Sequence, residues 1–301
     1  MAPLTHPDGG KRRLRTAAMT AARAGLLAFG FSFSQPAAAQ DSRPLVLAVH
    51  PYLPALEIER RFAPLARHIG EKTGRKIDIS VSPDYSAHIK RVGTHAVALA
   101  YMGPAAYVTM AKRYGQEFFL LARQESGGTP NFHGHIVVAE TSDIQTLADL
   151  RGRSFAFGDP QSTMSHLVPY YMLLEAGVKL DDLTRHPFLG GHRNVALGVL
   201  SDDFAAGALK EDIYEEYRSR GLRSIATSPP IPDHLMVATR ALPTDLRDKI
   251  RTALLALGNS PATREVLTAI QPDLTGFIPA EDSDYDILRR VIDRLGRENT
   301  R

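Results

Sequence analysis

Three hydroxyl-bearing residues follow a turn in the middle of the chain, at a spacing that suits an anion site. The turn is the Gly-Asp-Pro sequence at 158–160, and Ser162, Thr163 and Ser165 stand at the start of an apolar helical stretch. The first N–H groups of a helix have no partner inside it and lie at the positive end of the helix dipole. They can hold a small anion without lysine or arginine. Ordinary N-capping explains the same spacing.

Strand and helix patterns alternate on both sides of this segment. Buried strands are predicted at 45–50, 97–101 and 135–139, each followed by a helical or turn pattern. Such alternation is typical of an α/β protein with largely parallel sheets. The chain of 301 residues is long enough for two lobes.

Two flexible connectors, at 127–131 and 229–232, are the expected crossings between these lobes. We therefore expect residues 41–134 and 234–301 to form lobe 1 and residues 135–233 to form lobe 2. Two crossings with a cleft between lobes is hinge geometry.

The first 39 residues have the pattern of a secretory signal peptide. Basic residues precede a short apolar stretch at 24–33, and Ala-Ala-Ala at 37–39 matches a cleavage site. Removal of five basic residues and one acidic residue changes the net charge from +3 to −1. We expect a mature, monomeric protein in the periplasm, with no nucleic-acid partner and no stable membrane insertion. The chain has no cysteine, which excludes disulfides and thiolate chemistry.

Several short segments occur in a familiar order over residues 45–255. They are Ser82–Tyr85, Tyr101–Tyr107, Asp159–Pro169, Gly191-His192 and Ile231-Pro232. Together they resemble the phosphate/phosphite/phosphonate-type substrate-binding proteins of ABC transporters, the PhnD-like family. The resemblance implies a two-lobed type II periplasmic binding protein fold with a ligand cleft between the lobes. It also implies a small oxyanion ligand and an ABC permease as partners, with no cofactor.

The resemblance implies roles for individual residues as well. Tyr85 would line one wall of the ligand cleft. Ser162 and Thr163 would donate hydrogen bonds to the anion from the start of one helix, and His192 would donate from the start of a second helix. The sequence departs from the family pattern at Met164, where a third hydroxyl is usual, and histidine replaces an acid at position 234. The remaining expected ligand contacts are Phe132, His133, Met164, Ser165, His234 and Tyr107.

Other functions were weighed against this interpretation. The mature chain lacks the G-x-S-x-G and H-E-x-x-H motifs, so we expect no enzymatic activity.

A histidine-rich cleft that binds a divalent metal is a further alternative, although we expect no metal site. Its ligands would be His133, His135, His166, His192 and His234. A protein of this type could also present its closed form to a membrane histidine kinase. Which oxyanion binds stays open, and charged histidines would strengthen binding at low pH.

Overall fold

The structure is a computed structural model that describes residues 43–115 and 117–298, so the predicted signal peptide lies outside the described residues. In this part of the chain the strands form two main sheets and one short pair. In chain order the strands are β1 (Leu45–Val49), β2 (Ile77–Val81), β3 (Leu99–Met102), β4 (Phe119–Ser126), β5 (Asn131–Phe132), β6 (Gly134–Ala139), β7 (Phe155–Ala156), β8 (Ala206–Lys210), β9 (Leu222–Thr227), β10 (Ile231–Pro232), β11 (Leu235–Ala238) and β12 (Leu274–Ile278).

The helices cover these sheets and connect their strands. In chain order they are α1 (Ala55–Thr73), α2 (Tyr85–Gly93), α3 (Pro104–Tyr114), α4 (Val168–Glu175), α5 (His192–Leu200), α6 (Glu211–Arg218), α7 (Thr244–Leu255), α8 (Pro261–Ile270) and α9 (Asp286–Glu298). In α1, Ile58, Phe62, Leu65 and Ile69 recur at helical spacing and are fully buried. This helix ends at Gly74, whose φ of 68° is the left-handed conformation that glycine adopts without strain.

The two main sheets are mixed, which corrects the expectation of largely parallel sheets. The first has the order β12-β4-β11-β3-β1-β2 and the second has the order β7-β8-β6-β9. Only the β1–β2, β1–β3 and β7–β8 pairs are parallel among the described strands. The chain leaves the first sheet after β4 and returns through β10, so β11 enters it antiparallel to β3 and β4.

The two crossings between the sheets pair with each other. Strand β5 lies antiparallel to β10, with Phe132 opposite Ile231. Helix α9 then packs near both sheets, since Leu288 belongs to a core shared with the first sheet and Val291 to a core shared with the second. No helix in the described ranges combines the length and apolar character needed to cross a membrane.

Candidate functional site

A small cavity lies where the ends of β1 and β3 meet the starts of α2 and α5. The carboxyl ends of parallel strands are the usual place for a ligand in an α/β protein. The cavity is lined by His50, Tyr52, Tyr85, Gly103, Phe132, Ser162, Thr163, Met164, His192, Lys210 and His234. Residues of both sheets and their helices therefore contribute to one site.

Tyr85 is placed by the start of α2. The Asp84 side chain accepts a hydrogen bond from the Ala87 N–H and caps this helix. Tyr85 is buried and lines the same cavity as Ser162. Burial raises the pKa of Tyr85 above its ordinary value, and the negative charge of Asp159 raises it further. The phenol is therefore a neutral donor at the cavity wall.

One turn of π-helix at Thr163–Leu167 carries the predicted hydroxyls, and such turns recur at functional sites. Ser162 caps the turn, since its Oγ accepts from the Ser165 N–H at 3.2 Å. Thr163 Oγ1 accepts from the Ala105 N–H at 3.0 Å, which leaves its own hydroxyl hydrogen to donate. Capping and an anion site are thus compatible, because both hydroxyl oxygens act as acceptors of backbone N–H groups, Ser162 in its own turn and Thr163 at the start of α3.

His192 opens helix α5 and is fixed by a neighbouring strand. Its Nδ1 accepts a hydrogen bond from the Lys210 N–H at 3.1 Å, so the neutral tautomer assigned here carries its hydrogen on Nε2. Burial lowers the pKa of His192 to about 4. At neutral pH this side chain is therefore an uncharged N–H donor beside the cavity.

Lys210 is a functional candidate that the sequence analysis missed. It ends β8, is 4% exposed, and donates from Nζ to Gln271 Oε1 at 2.6 Å. Asp212 lies 3.5 Å from the same ammonium group. Among the described residues that line the cavity, it is the only lysine or arginine. A charged residue that ends an otherwise apolar strand was the available signal.

His50 was also missed, and it stacks on the predicted His234. Their ring centroids lie 5.3 Å apart with an interplanar angle of 13°. His50 follows β1 directly and is fully buried, and its Nδ1 lies 3.3 Å from the carbonyl oxygen of Tyr101. His234 Nδ1 lies 2.8 Å from Oδ1 of Asp233, which is also fully buried. Burial pushes the pKa of Asp233 up, but hydrogen bonding to His234 holds it below its ordinary value.

Three of the expected ligand contacts have other partners and do not line the cavity. Ser165 Oγ donates to the Ala208 carbonyl at 2.8 Å, and the Tyr107 hydroxyl donates to Asp282 at 2.6 Å. His133 Nδ1 lies 2.9 Å from the Ser228 carbonyl oxygen. The other expected contacts, which are Tyr85, Phe132, Ser162, Thr163, Met164, His192 and His234, all line the cavity.

The histidines do not assemble into a metal site in the described part of the chain. There, no group of three or more histidine, aspartate or glutamate side chains is placed to hold a metal ion. His135 stacks on Tyr214, and His166 packs between Tyr170 and Phe188. Of the residues of the proposed histidine-rich cleft, His192 and His234 line the same cavity, whereas His133, His135 and His166 do not.

Comparison with known proteins points to one family. Residues 47–285 match the family model described as ABC transporter, phosphonate, periplasmic substrate-binding protein. The chain is 26% identical over 278 residues to the phosphate-import protein PhnD of Mycolicibacterium smegmatis, covering 84% of this chain and 86% of that one. It is 24% identical to the phosphonates-binding periplasmic protein of Escherichia coli, covering 70% and 65% of the two chains.

The fold is similar to that of solved structures. PhnD1 from Prochlorococcus marinus in complex with methylphosphonate aligns with a TM-score of 0.78 at 20% identity, covering 85% of this chain and 99% of that chain. A binding protein component of an ABC phosphonate transporter from Pseudomonas aeruginosa aligns with a TM-score of 0.75 at 20% identity, covering 83% and 86%. At these identities the likeness concerns the fold alone.

Proposed function

This chain belongs to the family of periplasmic substrate-binding proteins of ABC phosphonate transporters, and from that premise we propose that it captures a small phosphorus oxyanion and delivers it to an ABC permease. The family is one of binding proteins and not of enzymes. We propose a phosphonate, phosphite or phosphate as the ligand and the periplasm as the location. The mature chain would begin after the signal peptide, near Ala39.

The observation that carries this proposal is the donor set of the cavity. Tyr85, Ser162 and Thr163 offer hydroxyl groups, and His192 offers a neutral imidazole N–H. A dehydrated oxyanion needs several such donors, because each lone pair that is stripped of water must be paired again. Lys210 adds a buried positive charge to this set. The arrangement suits a small anion better than an apolar or cationic ligand.

The surroundings of the cavity leave room for a substituent on the ligand. Phe132 and Lys210 line the cavity and also line a larger neighbouring cleft. An organic substituent on phosphorus has room towards that cleft. The printed names of the relatives include a phosphate, a phosphonate and a phosphite binder, and all three ligand classes share the PO₃ group that we assign to the cavity.

We propose that the ligand is trapped by closure of two lobes, residues 41–134 with 234–301 and residues 135–233. Support comes from the two crossings, which pair as β5 and β10 beside the cavity. Hydrogen bonds such as that from the Ala105 N–H to Thr163 join the two sides. Rotation about the paired crossings would open the cavity without breaking either main sheet.

The test is calorimetric titration of the purified protein with methylphosphonate, phosphite and phosphate. Ser162→Ala and Thr163→Ala each remove one donor, and we expect each to weaken binding about tenfold or more. Thr268→Ala is the matched control, because this hydroxyl is exposed and bonds only within its own helix. Binding that is unchanged in both cavity variants would contradict this site, and no binding of any oxyanion would contradict the function.

A further inference from the structure

Two buried imidazole nitrogens converge on one place in the cavity. A Cβ atom built on Gly103 would lie 3.6 Å from His50 Nε2, 3.7 Å from His234 Nε2 and 3.8 Å from Thr163 Oγ1. Because glycine leaves this position open, a ligand atom can take it. His50 is 0% exposed, and its Nε2 has no hydrogen-bond partner among the described residues. Buried polar atoms are ordinarily paired, and among the described histidine nitrogens that have no partner this is the one whose side chain lines the cavity.

The hydrogen-bond partners of the two rings determine what these nitrogens offer. His50 Nδ1 faces the carbonyl oxygen of Tyr101, and His234 Nδ1 faces the carboxylate of Asp233. Both partners accept hydrogen bonds, so each Nδ1 carries the hydrogen. A neutral imidazole has only one N–H. Each Nε2 therefore presents a lone pair to the cavity, whereas His192 presents an N–H.

The surroundings keep both rings neutral near pH 7. The pKa of His50 is well below its ordinary value because of burial and then because of the nearby His234 and His88. Burial also lowers the pKa of His234, against the opposing effect of Asp233. The titratable and charged groups that face the two rings are His88, His192, Tyr52, Tyr85, Tyr101, Asp233, Asp212 and Lys210.

We propose that His50 is a specificity-determining residue whose Nε2 accepts a hydrogen bond from a protonated oxygen of the ligand. The site then takes phosphorus oxyanions in a form that carries a P–OH group and rejects oxyanions that have no proton. His234 Nε2 is the second acceptor at this place. This inference rests on the proposed function, since it concerns the ligand of the same cavity. A dianionic ligand binds together with one proton from water.

The discrimination follows from the cost of facing lone pairs. A sulfonate has the same tetrahedral shape and charge as a monoanionic phosphonate but carries no hydrogen at neutral pH. Its oxygen would face the lone pair of His50 Nε2 with no hydrogen between them. Both the sulfonate oxygen and Nε2 would then be buried acceptors without a hydrogen bond. Sites built to bond a ligand hydroxyl discriminate strongly against analogues that lack it. We expect a preference of about a hundredfold or more.

The experiment compares methylphosphonate with methanesulfonate by calorimetric titration of the purified protein. The pH is set where the phosphonate is a monoanion, so the two ligands differ by one proton and by the central atom. In wild type, methylphosphonate should bind about a hundredfold more tightly or better. Equal affinities would overturn the inference while leaving oxyanion binding intact. Failure of both ligands and of phosphate to bind would instead contradict the proposed function.

Two matched variants locate the effect. His50→Phe keeps a ring but removes the acceptor, and we expect the preference to shrink about tenfold or more. His88→Phe makes the same change at a second fully buried histidine, 5.9 Å from His50, that does not line the cavity. Its preference should equal that of wild type. A preference that survives in His50→Phe, or that falls equally in both variants, would overturn the assignment.

Proton counting tests the inference on wild type alone, so it does not depend on whether a variant folds. Titrations with methylphosphonate above its second pKa are run in two buffers with different ionisation enthalpies. The slope of heat against buffer enthalpy gives the number of protons taken up. We expect about one proton per bound phosphonate, because the dianion must acquire a proton to satisfy His50. No net proton uptake would overturn the inference.

Discussion

Lys210 combines a full positive charge with nearly complete burial, and this determines its effect on anion binding. Its ammonium group donates a hydrogen bond to Gln271 and lies near Asp212. A cation buried beside neutral donors attracts an anion more strongly than an exposed lysine does, because less solvent screens it. In the proposed site, the neutral side chains supply hydrogen-bond donors and Lys210 supplies the positive charge.

We predict that Lys210→Met weakens oxyanion binding about tenfold to a hundredfold, the effect of a hydrogen bond to a charged group. The methionine retains an apolar stem and removes the ammonium group, which lies 5.7 Å from the centroid of the Phe132 ring. Lys249→Met is the control, because it changes the net charge equally at an exposed position of α7. Titration at low and moderate salt checks the prediction. Equal losses in both variants would mean that overall charge, and not the cavity, governs affinity.

At the level of elements, the sequence predicted the parts of the site that are local. The turn at 158–160, the hydroxyls of Ser162 and Thr163, and the helix start at His192 lie within short segments with recognisable patterns. His50 and Lys210 could not be found in this way. Each ends an apolar strand, and its role depends on partners that pairing and packing bring from elsewhere, such as Tyr101 for His50 and Gln271 for Lys210.

Dependence on distant partners also explains why two of the expected ligand contacts, Tyr107 and Ser165, do not line the cavity. Tyr107 lies one helical turn into α3, where it reaches Asp282, a residue far along the chain. Ser165 stands within the π-helical turn, so its hydroxyl faces β8 and bonds the Ala208 carbonyl. Neither a π-turn nor a contact between distant segments leaves a periodic signature in the sequence.

The junction of β3 and α3 gives a prediction at the element scale. Gly103 precedes α3 with φ of −70°, which alanine also adopts, and the added methyl would meet its neighbours at ordinary contact distances. Gly103→Ala should therefore fold with nearly unchanged stability. It should lose measurable oxyanion binding, because the methyl group occupies the place where His50, His234 and Thr163 converge.

Gly191→Ala is the matched control for this substitution. It too precedes a helix, with φ of −95°, and its Cβ would meet nothing within 4 Å. Titration and thermal unfolding of both variants check the prediction. Normal affinity in Gly103→Ala would show that the ligand does not use this part of the cavity, and unfolding of that variant would show that Gly103 serves the fold.

At the scale of the whole molecule, one ion-pair network joins the two sides of the proposed cleft. Arg193 on α5 bonds Glu57 on α1, and it also bonds Glu216 on α6 at 3.0 Å. Burial raises the pKa of Glu57, but hydrogen bonds from Arg193 and then Arg61 hold it below its ordinary value, so it is charged at neutral pH. Glu57 lies in the proposed lobe 1, whereas Arg193 and Glu216 both lie in the proposed lobe 2.

This network allows closure to be tested separately from ligand chemistry. Glu57→Gln removes the carboxylate that crosses the cleft, whereas Glu216→Gln removes one that does not. Partly exposed ion pairs are worth about 1 kcal/mol or less, so we expect Glu57→Gln to weaken oxyanion affinity about twofold to fivefold. The cause would be a smaller population of the closed form, since apparent affinity scales with the competent fraction. Glu216→Gln should bind like wild type.

Small-angle scattering with and without ligand supplies the structural measurement. If closure limits binding, Glu57→Gln without ligand should have a larger radius of gyration than Glu216→Gln, and saturating oxyanion should bring both to the same value. Both variants lose one negative charge beside Arg193, and a difference between them reflects the bond across the proposed lobes together with the Arg61–Glu57 pair within α1. Equal radii together with equal affinities would mean that the Arg193–Glu57 pair does not hold the lobes together, and closure would then have to rest on other contacts, among them those around the cavity and the ion pairs of α9 with Glu175 and Lys179.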